Sequence, residues 1–88
     1  MSPWEKKYSL TRNEVAQILE DFVEGTSNSP YSWDGFTLGM SFENNYLDGI
    51  RRRCAGLSEE FPATGREFCN PDGIDVMRGY IRELRNLE

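Results

Sequence analysis

The chain has 88 residues, with ten Lys+Arg against fifteen Asp+Glu, a formal net charge of −5 and no histidine. That length allows one domain, spanning 1–88, and the composition is that of a globular chain. No run approaches the roughly 20 apolar residues that a membrane span needs. No basic segment followed by an apolar one marks a secretory signal. The missing histidines remove Ser-His-Asp and Cys-His catalysis and every His-ligated metal site.

A domain this small buries only about 60–65% of its unfolded surface, so its core is limited. Five Phe, four Tyr and two Trp are its main supply of apolar area. Cys54 and Cys69 are too few for a disulfide scaffold. Without an export signal the expected compartment is a reducing cytoplasm, and both thiols read as small buried hydrophobes. A Cys54–Cys69 bridge is the alternative. A two-cysteine zinc site would need partners that the chain scarcely supplies.

Residues 1–9 read as a flexible or loosely docked tail carrying Trp4 and Tyr8. Thr11-Arg12-Asn13-Glu14 is a capping box, with Leu10 and Val15 as a hydrophobic staple. Val15, Ile18, Leu19, Phe22 and Val23 then follow an apolar helical stripe, and Gly25 suits the position after the helix end. This predicts a first helix over 12–24. Residues 26–30 are a loop by composition.

The next segment supports two readings. Phe36, Leu38, Met40 and Phe42 alternate with small polar residues, a strand period, and Asp34-Gly35 suits a hairpin turn. The preferred reading is a short helix or turn near 32–36 capped by Ser32, followed by an extended stretch that plugs the core.

Asn44 or Asn45 caps a second helix with Leu47, Ile50, Cys54 and Leu57 on its apolar side. Gly49 weakens this helix by up to about 1 kcal/mol and leaves room for another element to approach. The helix stops at Ser58–Pro62, and Phe61 folds back onto the core. Asn70-Pro71-Asp72 announces a third helix over 71–86, with Cys69 and Ile74 as a staple. Its stripe is Ile74, Met77, Ile81 and Leu84, with Tyr80 beside it. Leu87-Glu88 reads as an expression-vector remnant, and no element is placed on it.

The expected fold is all-α: a small three-helix bundle with a structured long loop between helices one and two. The alternative is α+β with a hairpin at 31–42. The pattern Trp33-Asp34-x-Phe36, Ile50-Arg51-x-x-Cys54, Phe61-Pro62, Cys69, Gly73 and Leu84-Arg85 resembles a family of small uncharacterised bacterial proteins. The resemblance implies a bacterial cytosolic protein with a helical fold. It carries no activity and no site residues.

Two sets of residues are candidate contacts. Trp33, Asp34 and Phe36, together with the acids Glu20, Asp21 and Glu24 that close the first helix, form the first. Trp is a frequent interface anchor. The three acids stand at the wrong end of the helix dipole, which suggests use against a cationic surface. Arg51, Arg52 and Arg53 are the second set, as an anion contact or, with Arg78, Arg82 and Arg85, a nucleic-acid contact; pairing to nearby Glu43, Asp48, Glu59 and Glu60, with Asp48 four residues before Arg52, is the plainer reading. Acids gather on helix one and arginines on helices two and three, which describes a dipolar molecule. No catalytic residue or cofactor is expected. The expected function is protein interaction, in one version immunity- or antitoxin-like, with nucleic acid disfavoured by the net charge.

Overall fold

The computed structural model describes residues 7–65 and 67–86. Four helices and two very short strands follow in the order β1 (Lys7–Tyr8), α1 (Arg12–Glu24), α2 (Trp33–Gly39), β2 (Ser41–Phe42), α3 (Asn45–Glu60) and α4 (Pro71–Asn86). The molecule is mostly helical, with one helix more than the three expected. Trp4 and the Leu87-Glu88 end lie outside the described residues.

The helix ends follow the local chemistry of the sequence. At α1 the Thr11 hydroxyl accepts the Glu14 N–H at 3.1 Å, and the Glu14 carboxylate accepts the Thr11 N–H at 2.9 Å. The helix stops at Gly25, whose φ of 71° is the left-handed conformation that favours glycine. Asn44 caps α3 by accepting the N–H groups of Tyr46 and Leu47. Asn70 does the same for Asp72 and Gly73 at the start of α4.

The segment after residue 30 resolves the two readings. Ser32 caps α2 through the Gly35 N–H at 3.0 Å, and the helix runs on to Gly39, past the expected turn. Phe36 and Met40, four apart, are buried, while Leu38 on the opposite side is 81% exposed. The hairpin at 31–42 is therefore not formed. Instead β2 pairs in parallel with β1, Lys7 opposite Ser41 and Tyr8 opposite Phe42, so part of the expected tail is fastened.

One core joins all four helices. Val15, Ile18 and Leu19 from α1, Phe36 from α2, Ile50, Cys54 and Leu57 from α3, and Met77 and Leu84 from α4 are all buried. The most extensive contact is between α1 and α4. Close approach occurs at Gly73 and not at Gly49. A β-carbon on Gly73 would lie 2.7 Å from the Cys69 Sγ and 3.2 Å from the Phe61 Cβ, whereas Gly49 faces open space. Phe61 packs back against the core, and its carbonyl accepts the Asn70 N–H at 2.9 Å, closing the 61–70 connection.

Cys54 and Cys69 are buried free thiols. Burial pushes the Cys54 thiol up to about 12, with neighbouring Arg53 opposing the shift and Cys69 adding to it. Burial raises Cys69 as well.

Candidate functional site

Trp33 opens α2 and lies at the centre of an aromatic cluster. Its ring stacks on Phe22 of α1 at 4.0 Å between centroids and 15° between planes. Phe68 meets both edge-on, at 5.4 Å from Phe22 and 5.5 Å from Trp33. All three rings are half-buried, so the cluster forms part of the surface. Phe36 touches the inner side of Trp33 and is fully buried, which makes it core and not a contact residue. Asp34 is exposed in the first turn of α2, where a carboxylate suits the helix dipole. The Trp33 indole N–H is buried with no hydrogen-bond partner among the described residues. Such an orphan costs about 1–3 kcal/mol.

The three acids that close α1 have separate roles, and none of them is simply free for a cationic partner. Glu20 pairs with Arg85 at 2.8 Å and Glu24 with Arg78 at 2.9 Å, both across the α1–α4 contact. The opposing helix supplies the compensation that the α1 dipole does not. Asp21 is 7% exposed and turned into the following loop. It accepts from the Gln17 amide, the Thr26 hydroxyl and the N–H groups of Asn28 and Ser29. Burial pushes its carboxyl up, and the hydrogen bonds from Thr26, Ser29, Asn28 and Gln17 together outweigh that, leaving it at about 2.

The arginine run is similarly divided. Arg51 is only 13% exposed at its side chain; its Nε donates to Asp48 at 2.9 Å and its Nη1 to the Thr37 carbonyl at 3.1 Å. Arg52 joins the same Asp48 at 3.0 Å, the pair anticipated from their spacing. Asp48 also accepts the Phe42 N–H at 3.1 Å, so this carboxylate ties β2 to α3 and, through Arg51, α2 to both. The Arg51 hydrogen bond and both arginine charges hold Asp48 below the usual carboxylate range, against the opposing effect of burial. Arg53 pairs with Glu60 at 2.8 Å. The expected dipole is thus largely cancelled inside the molecule. Asp34, Glu43, Glu59, Glu67, Asp72 and Asp75 are exposed acids with no ion pair among the described residues.

Two cavities flank the aromatic cluster. One, of about 520 Å³, lies between the end of α1 and the 25–32 loop, with Ile18, Asp21, Phe22, Tyr31 and Trp33 among its walls. The other, of about 590 Å³, lies between Phe22, the 61–70 connection and the start of α4. Its walls include Phe22, Phe68 and Ile74, with Glu67, Asp75 and Arg78 among the charged groups. Phe68, Glu67 and Asp75 were not foreseen, whereas Arg78 belongs to the arginines that the sequence singles out on its last helix. The available signal was a lone large aromatic in an otherwise polar loop, immediately before Cys69.

The residues that carry the resemblance are chiefly packing residues: Phe36, Ile50, Cys54, Cys69 and Leu84 are core, and Gly73 is buried against Cys69. No protein-family model, curated protein or solved structure matches the chain.

Proposed function

We propose that this chain is a small protein-interaction module that binds a basic partner protein through an aromatic face with acidic surroundings. An immunity- or antitoxin-like protein that blocks such a partner is the concrete version. The observation that carries the reading is the Phe22–Trp33–Phe68 cluster. A domain short of apolar area leaves three of its largest rings half-exposed, stacked on one another and bordered by a cavity on each side. Rigid aromatic groups beside pockets are what interface hot spots are built from.

Charge supports the choice of partner. The net charge is −5, and five arginines are already matched by acids of the same chain. The field left facing outward favours a cationic surface and opposes polyphosphate. The nucleic-acid reading through Arg51–Arg53 has less support, since Arg51 is committed to Asp48 and Thr37. The bacterial, cytosolic setting implied by the resemblance belongs to this same proposal.

The test is affinity capture from the native host at low and high salt, using the wild type and a Phe68→Ser variant whose folding is checked by circular dichroism. The reading predicts a protein retained by the wild type at low salt, released by salt and lost with the variant. Retention of nucleic acid instead, or of nothing specific, overturns it.

A further inference from the structure

We infer that the cavity between Phe22, the 61–70 connection and α4 receives a cationic side chain with an aliphatic stem, an arginine or lysine of the partner; this deepens the interaction reading and rests on it. The volume of about 590 Å³ falls in the range of pockets that hold small ligands. Phe22 and Phe68 meet at 86° and form an aromatic corner, and Ile74 adds an aliphatic wall. A methylene stem is matched by these walls, and a cation gains from nearby ring faces.

The charged groups fit the same occupant. Glu67 and Asp75 are exposed acids on the cavity, and neither has an ion pair among the described residues. Arg78 is the one cation among the described lining residues, and Glu24 matches it at 2.9 Å. Arg66 precedes Glu67 in the chain and lies outside the described residues.

The start of α4 is closed to an anion. Pro71 has no N–H, and the N–H groups of Asp72 and Gly73 are held by the Asn70 side chain. The Ile74 N–H is taken by the Asn70 carbonyl. Asp72 in the first turn already complements the positive end of the dipole. Cys69 in the wall is buried and contributes no charge near neutral pH, because burial raises its thiol. What remains is an apolar corner with a negative border.

The full-length ¹⁵N-labelled protein tests this by titration with N-acetyl-arginine methylamide, read by amide chemical shifts. The neutral norleucine and anionic glutamate analogues serve as controls. The arginine analogue is expected to bind with millimolar affinity and to shift Phe68, Cys69, Asn70, Ile74 and Asp75. A folded Glu67→Gln/Asp75→Asn variant should bind it about tenfold more weakly, a loss of about 1.4 kcal/mol. Absence of shifts, equal binding of the norleucine analogue or preferential binding of the glutamate analogue each overturns the proposal. Partner capture separates the two levels. A partner held equally by the wild type and the double variant removes the cationic pocket and leaves the interaction module. Arginine binding with no captured partner removes the module and leaves the pocket.

Discussion

Asp21 illustrates how one carboxylate can organise a loop that has no regular structure. Its oxygens take two side-chain donors and two backbone N–H groups between Gln17 and Ser29. The folded chain holds the acid at about 2, below its ordinary 3.8, so the proton binds more readily to the unfolded chain. This contribution to stability is full above the ordinary value and is lost as pH falls toward about 2. Asp21→Asn should flatten that part of the acid-unfolding profile, and superimposable wild-type and variant slopes below pH 3.8 would sink the assignment. The position was open to sequence reasoning, since Asp21 stands three residues after Ile18 and so falls on the apolar stripe. Its grouping with Glu20 and Glu24 rested on charge alone and hid that difference. The thiols allow a second prediction. Cys54 and Cys69 are buried with raised pKa, so a thiol reagent at neutral pH should react only on unfolding. Rapid labelling of either one in the folded protein would contradict their burial.

At the scale of elements, end signals were more informative than periodicity. Thr11, Asn44 and Asn70 place the starts of α1, α3 and α4 because capping is local chemistry between neighbours. The α2 segment was ambiguous because Phe36 and Met40 are four apart, a spacing that suits both a helix face and every second residue of a strand. Ser32 decides for the helix, and Phe42 keeps its inward place in β2. The β1–β2 ladder could not be read, since two residues on each side carry no periodicity. Two glycines of α4 separate packing from propensity. Gly79→Ala enters open space and should stabilise by about 0.5–1 kcal/mol. Gly73→Ala gains no more than that, and its new methyl meets Cys69 and Phe61, an overpacking cost of about 1–3 kcal/mol. The Gly73 variant should therefore be the less stable in urea. A gain at both positions would show that Cys69 and Phe61 yield freely.

For the whole molecule, the α1–α4 contact combines a buried apolar layer with an outer row of ion pairs. Exposed pairs such as Arg85–Glu20, with side chains 41% and 38% exposed, contribute about 0.2–1 kcal/mol each. Leu84 beneath them is fully buried, and truncating such a side chain costs about 2–5 kcal/mol. Leu84→Ala should therefore lower the urea midpoint much more than Arg85→Gln, and comparable losses would show that the ion pairs dominate the contact. The charge pattern was visible in the sequence as acids on one helix and arginines on others. That they face one another depends on tertiary placement, which no local pattern encodes. Tyr46 joins the same assembly from α3: its hydroxyl donates to Glu83 of α4, and Arg12 of α1 lies over its ring at 5.8 Å.

The pairing of α1 with α4 also sets an order of events during synthesis. Val15, Ile18 and Leu19 emerge from the ribosome before the helix that covers them most extensively, which is the last of the four to be made. A nascent chain that ends before Met77 and Leu84 has an incomplete core, with no closing partner for its first helix. The core of this molecule is consequently complete only once α4 has been made, and the fold is expected to form as one unit.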